Sequence, residues 1–269
     1  MKKFGFITNK YAVSVLLLLC LLLADIVLHR GMSRVILPAS FSDKIKAISL
    51  PVCNRPLVQK DKHWIKLNHD TLWLNKLPAN TPGIAMDVVF NPLKQCFELY
   101  PDSNFSATIY LDSMLLSYTE KKWQSNIWLA FKNLDPANAA ASLQEMIRLK
   151  NKYKLANQVI IESPVAASLK SFCDSGFFTA YAVPFFNPYH AVEREIIHFA
   201  DSIRKSLSAY PASAVSATYF QYPVLKKFFP NYPILTRADN VSISVVSYVF
   251  KRQLENEENI KVILSPFKD

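Results

Sequence analysis

Glycine is nearly absent from this chain. The 269 residues hold four, at Gly5, Gly31, Gly83 and Gly176, and no two are close together. That excludes a Walker phosphate loop, a dinucleotide-binding G-x-G-x-x-G turn and a G-x-S-x-G nucleophile elbow, since each needs clustered glycines. Collagen-like and glycine-linker classes are excluded with them. Cysteine is scarce too. Of the four, Cys20 lies in an apolar run, and Cys53, Cys96 and Cys173 are too scattered for a tetrahedral zinc site. Basic blocks are short: 31 Lys+Arg against 21 Asp+Glu give a net charge of +10, with no Lys/Arg run longer than two. No aromatic-and-basic recognition motif appears, so no nucleic-acid partner is expected. The positive balance reads as a solvated basic surface. Its sharper alternative is attraction to anionic lipid headgroups or acidic glycans. A hydrophobic share of 51% excludes wholesale disorder.

What is present begins with a long apolar run. Residues 11–28 are apolar apart from Ser14 and Asp25. As a helix this run covers ~27 Å at ~1.5 Å per residue, close to a bilayer core. Lys2, Lys3 and Lys10 precede it, and positive charge ahead of a span holds that end in the cytoplasm. The expectation is a single-pass membrane protein. It comprises a cytoplasmic tail (1–10), a transmembrane anchor (11–28), a stalk (29–60) and an extracytoplasmic domain (61–269), periplasmic in a Gram-negative cell. A cleaved secretory signal is the rival reading, against which stand the length of the run and the lack of an A-x-A site. Either exports the remainder and permits one disulfide. Cys53–Cys96 is the pair to test, beside the alternative of a buried thiol and no bridge.

After His63 the pattern is regular. Short apolar or β-branched runs at 64–68, 84–90, 127–131, 158–162, 177–183, 214–219, 233–236 and 260–264 give eight candidate strands. Helical patterns fill most gaps. Asp135-Pro136 opens one to Lys150, Ser163-Pro164 another to about Asp174 with Gly176 after it, Asn187-Pro188 a longer one, and 242–254 a fourth. Strand–helix alternation with eight strands points to an α/β fold, a (β/α)8 TIM-type barrel preceded by one N-terminal transmembrane helix. Residues 91–107 read as a loop excursion.

Chemistry in such a barrel sits beyond the C-terminal ends of the strands. Those ends carry His69, Asp87, Lys132, Glu162 and Tyr219, with Tyr100 and Asp102 on the long loop after the second strand. A histidine, carboxylates and a lysine around one mouth suit acid–base work on a phosphodiester. Each also has a structural reading: His69 and Asp70 as a helix cap, Lys132 and Glu162 as a buried ion pair.

At these residues the chain resembles a known group. The stretch GIAMDVVFNPLKQCFELYPDS, then IWLAFKNL, VIIESP and GFFTAYAVP, is similar to glycerophosphodiester phosphodiesterase-like and menorin-type barrels of the phosphatidylinositol-phospholipase-C-like superfamily. The resemblance covers roughly residues 63–269 and is clearest from 83 to 184. It implies phosphodiester cleavage with Ca²⁺ or Mg²⁺ and two histidines. The carry-over is incomplete. The first histidine falls on His69, and the second aligns with Tyr100. The Glu-x-Asp that supplies metal ligands is Ala85-Met86-Asp87 here. The W-L-D-F-K block reads Trp128-Leu129-Ala130-Phe131-Lys132, and the acid after the fourth strand remains as Glu162.

A hard cation wants about six oxygen ligands. Asp87 and Glu162 are the metal candidates left, so Ca²⁺ or Mg²⁺ binding is expected to be weak or absent. His69, Lys132 and Tyr100 are the candidate catalytic residues. Three readings follow: a phosphodiesterase-like barrel that binds a phosphodiester, lipid headgroup or phosphorylated glycan without the usual turnover; an active phosphodiesterase with an altered site; and a non-catalytic scaffold of a cell-envelope assembly.

Overall fold

The computed structural model describes residues 10–36, 41, 46–58, 61–67, 76–78, 80–100, 108–238 and 244–266. Nine strands are present among them. Eight are parallel: β1 (His63–Lys66), β2 (Gly83–Asn91), β4 (Asn126–Phe131), β5 (Val159–Ser163), β6 (Phe178–Ala182), β7 (Ala214–Thr218), β8 (Ile234–Arg237) and β9 (Ile260–Pro266). They run in the order β1-β2-β4-β5-β6-β7-β8-β9, and β9 pairs back onto β1. The sheet is therefore a closed barrel, and every expected strand falls on one of these eight. Closure leaves no parallel edge unpaired, which is why the strands read as apolar runs. β3 (Cys96–Leu99) turns back antiparallel on β2. The excursion expected at 91–107 thus begins as a hairpin.

Helices cover the outside: α3 (Leu111–Glu120), α4 (Ala139–Tyr153), α5 (Ala166–Asp174), α6 (Glu193–Ala209), α7 (Tyr222–Phe228) and α8 (Val245–Asn256). α4 begins three residues later than Pro136. Asp135 accepts bonds from the N–H groups of Ala137 and Asn138 and closes a turn ahead of the helix instead of capping it directly. α5 ends as expected, with Gly176 at φ 85° taking the left-handed conformation. Ser244 caps α8 by accepting from the N–H of Ser247 at 2.8 Å.

Two cores result. One lies between helices and strands, built around side chains such as Phe90, Phe131, Phe172 and Phe228. The other fills the lumen with Trp64, Trp128, Ile160, Leu235 and Val262. Gly83 is explained here, because a Cβ on it would run into the Trp64 indole.

The N-terminal segment begins with α1 (Lys10–Leu28) and α2 (Arg30–Ile36). Among the described residues no single helix is long and apolar enough to cross a membrane. The two form a bent pair, at 95°, that meets length and composition together. From Ala12 to Leu21 every side chain of α1 is exposed. α2 instead buries Met32, Ser33 and Val35.

The segment expected as a stalk lies against the barrel where it is described. Lys227 bonds the Phe41 carbonyl, and Ile48 N–H donates to Phe228 O. Cys53 N–H donates to Ala212 O, and Val58 N–H to Asn157 O. Leu57 packs on the lumen core from the base. Here the expected Cys53–Cys96 pair is corrected: Cys53 is bonded to Cys173, while Cys96 is a free, partly exposed thiol. The strap brings Cys53 to the C-terminal end of α5, with a Cα–Cα distance of 6.5 Å, whereas Cys96 stands on the outer hairpin.

Joining residues 120 apart removes much freedom from the unfolded chain. Replacing both cysteines by serine should lower the unfolding free energy by about 2–5 kcal/mol. Denaturant melts of the oxidised and double-serine proteins check this, and coincident midpoints would show that the bridge contributes nothing.

Candidate functional site at the barrel mouth

Alternation along each strand sends every second side chain into the lumen. At the C-terminal end this places Lys66, Asp87, Lys132, Glu162, Ser216 and Arg237 around one opening. Register sets their order: Asp87 lies opposite Ala130, and Ala130 opposite Glu162. An alanine therefore separates the two carboxylates.

Each carboxylate has its own cations. Asp87 Oδ2 lies 3.2 Å from Lys66 Nζ and 3.1 Å from Lys132 Nζ. The Asp87 side chain is 13% exposed and both lysines are 33% exposed. Burial pushes the Asp87 carboxyl up, but the two ammonium groups outweigh it and hold it below its ordinary value. Glu162 is deeper, with its side chain 3% exposed. It accepts from Arg237 Nη2, from Trp128 Nε1 and, at 3.2 Å, from Ser216 Oγ. The Arg237 guanidinium also stands over the Trp128 ring, 5.7 Å from its centroid. Beside this group lies a cavity of about 220 Å³, lined by Glu162, Ser216, Thr218, Gln221, Arg237 and Phe185, among others.

Of the residues expected at the site, Asp87, Lys132 and Glu162 come to the mouth. The alternative ion pair of Lys132 with Glu162 does not form, because Lys132 bonds Asp87 and Glu162 bonds Arg237. Tyr100 sits on the hairpin rim, 46% exposed, and meets Asp87 through its backbone, its N–H donating to Asp87 O at 2.9 Å. His69 and Asp102 lie outside the described residues. Tyr219 opens a 3-10 turn, Tyr219–Gln221, and stacks on Phe220.

Two residues were missed, Lys66 and Arg237. The first strand was drawn to 68, two residues past its end at Lys66, and the seventh candidate stopped one residue short of Arg237. Alternation from Trp64 and from Leu235 finds both.

Both carboxylates are bonded to lysine or arginine, and the register position between them carries an alanine. Among the described residues no group of three or more His, Cys, Asp and Glu converges. This donor set does not fit Ca²⁺ or Mg²⁺. Three cations around two carboxylates fit an oxyanion better, and arginine beside lysine is suited to phosphate.

Removing Arg237 leaves a buried charge uncompensated. Arg237→Met should destabilise the barrel by about 3–5 kcal/mol, and Glu162→Gln in that background should recover most of it. Urea melts of the single and double variants decide, and no recovery would show that Arg237 acts through packing alone. Asp87 has a depressed folded value, so its contribution is present above the unfolded value of about 3.9 and is lost as pH falls through the folded one. Stability profiles of wild type and Asp87→Asn should therefore differ most above the unfolded value of about 3.9 and approach each other as pH falls through the lower, folded one. Parallel profiles would remove Asp87 from the balance.

No protein-family model matches this chain, and no curated protein matches it. Solved structures match its fold. A glycerophosphodiester phosphodiesterase from Parabacteroides distasonis ATCC 8503 superposes with a TM-score of 0.50 at 13% identity, covering 77% of this chain and 93% of that one. A candidate glycerophosphodiester phosphodiesterase from Galdieria sulphuraria gives 0.52 at 14% identity, covering 77% and 94%. A candidate glycerophosphoryl diester phosphodiesterase from Silicibacter pomeroyi DSS-3 gives 0.51 at 10% identity, covering 78% and 91%. At these identities the likeness is one of fold. The barrel closed by β9 on β1 is thus a (β/α)8 TIM-type barrel, the fold that the sequence resemblance implies.

Proposed function

We propose that this chain is an exported, membrane-anchored barrel that binds a phosphodiester-type anion at its mouth without the metal-dependent hydrolysis implied by the resemblance. The observation that carries this reading is the pairing of both mouth carboxylates with side-chain cations. Among the described residues, Lys66, Lys132 and Arg237 outnumber Asp87 and Glu162 by one charge. A carboxylate already bonded to ammonium or guanidinium is a poor ligand for a hard cation, which would have to displace those partners. An incoming phosphate instead meets N–H donors that are one-third exposed on the lysines. The anchored part of the reading rests on α1, whose apolar side chains project into solvent, and on the lysines before it, which favour a cytoplasmic N-terminus.

The test uses the full chain in lipid nanodiscs. Release of glycerol phosphate from glycerophosphodiesters is followed with Ca²⁺, Mg²⁺, Mn²⁺ or EDTA, and binding of the same compounds by calorimetry. Binding without metal-dependent release is expected, weakened about tenfold or more by Lys66→Gln or Lys132→Gln and by added salt. Metal-dependent release lost in Asp87→Ala would make the chain an active phosphodiesterase. Neither binding nor release would leave the scaffold reading.

A further inference from the structure

We infer that the barrel mouth faces the bilayer, so that the anion it takes is the phosphodiester headgroup of a membrane lipid and not a free glycerophosphodiester. This deepens the anchored, anion-binding reading and rests on it.

The first observation is where the N-terminal helices attach. In a (β/α)8 barrel the helices begin, and the strands end, on the mouth side. α2 packs on α8 and on the 3-10 turn that follows β7 directly. Its Gly31 lies so close to this turn that an added Cβ would stand 2.7 Å from the Phe220 ring. The neighbouring Gln221 lines the Glu162–Arg237 cavity. At the end of α1, the Asp25 carboxylate accepts from the N–H of Val246 at 3.1 Å, at the start of α8. His29 Nδ1 lies 2.8 Å from the same carboxylate. The anchor is thus fastened to the mouth rim, between the last two units, and not to the base.

The second is direction. α1 leaves α2 at 95°. With the apolar α1 embedded in the bilayer, α2 runs along its surface and carries the mouth rim with it. His29, Arg30 and Arg34 stand at this junction, where cationic side chains meet anionic headgroups.

The third is a groove that shares a wall residue, Phe185, with the mouth cavity. Its volume is about 870 Å³, and its walls include Phe185, Phe186, Val192, Arg194 and His198. Phe185 also lines the Glu162–Arg237 cavity, so the two share a wall. Phe185 is 69% exposed and Val192 63% exposed. Arg34 of α2 reaches the groove edge, 3.2 Å from His190 Nε2. A polar pocket with cations beside a groove that has exposed apolar walls matches a molecule with a phosphodiester at one end and hydrocarbon next to it. A soluble glycerophosphodiester would leave Phe185 and Val192 in water.

The test starts from the full chain with Cys20→Ser and Cys96→Ser, which keeps the Cys53–Cys173 bridge. A fluorophore is placed at Val192→Cys on the mouth rim, or at Glu258→Cys in the turn at the base. Vesicles of phosphatidylcholine and phosphatidylglycerol carry a headgroup nitroxide quencher. Flotation first reports whether the chain is anchored, and a chain that does not float overturns the anchored reading and this inference together. For a chain that floats, loss of most emission from the Val192 label and little from the Glu258 label is expected. Equal quenching, or the reverse, overturns the orientation alone. In a second arm, monomeric dihexanoyl phosphatidylglycerol should bind at least about tenfold tighter than glycerophosphoglycerol, through the added hydrocarbon. Phe185→Ser with Val192→Ser should remove that difference. Equal affinities in the unaltered chain would make the free headgroup the ligand and overturn the lipid assignment.

Discussion

A carboxylate sealed inside a barrel lumen needs partners that replace the water it has lost. Glu162 is that carboxylate here, and the mouth is organised around it. Trp128 donates from β4, Ser216 from β7 and Arg237 from β8. These bonds tie one side of the barrel to the other across the lumen. The Trp128 indole fills the layer below, so the residue that packs the lumen also bonds the charge above it. The cavity beside Glu162 keeps its shape because its walls are held by these bonds and by Gln221, which bonds the Pro184 carbonyl at 2.6 Å.

Asp87 solves the same problem differently. It is nearer to water, and two lysines from neighbouring strands, each partly exposed, share its charge. The two solutions keep the carboxylates apart. Ala130 stands between them in register, with the methyl side chain of Ala85 at the same end of β2. Carboxylates at those two positions would put four acids around the opening, and mutual repulsion would then favour a divalent cation. With two alanines, the acids are spread thinly enough for lysine and arginine to neutralise each one separately. The small side chains and the cations belong to one electrostatic arrangement.

Most of the barrel was legible because closure imposes a strong pattern. Strands buried on both faces read as short apolar runs: IWLAF, and VII ahead of Glu162, need no alternation to be seen. The site was legible only in part, because its membership turns on single residues at strand ends, where sequence patterns are weakest. Lys66 was read as strand interior and Arg237 as loop. The Cys53 partner was not legible at all. It depends on the path of residues 46–58, which have no periodicity and are placed by backbone bonds to Phe228, Ala212 and Asn157. A segment that borrows its order from the barrel carries little signal of its own.

That path also bears on how far the barrel stands from anything α1 is embedded in. A parallel barrel must enter its first strand from the base, whereas α2 is packed at the mouth. The chain between Ile36 and His63 has to travel from one end of the barrel to the other. Left free, those 26 residues would extend up to ~85 Å at ~3.3 Å each, a tether long enough to let the barrel tumble in any orientation. The strap is instead hydrogen-bonded along α7, bridged to α5 by Cys53–Cys173 and plugged into the base by Leu57. Over its described residues, 41, 46–58 and 61–62, this segment lies on the barrel. The placement of α1 at the mouth is set by α2, which is seven residues long and buried along one side, and by the Asp25 bond to Val246. A helix that short, with its Met32 and Val35 packed on the rim, transmits the direction of α1 to the barrel as a rigid elbow rather than as a hinge.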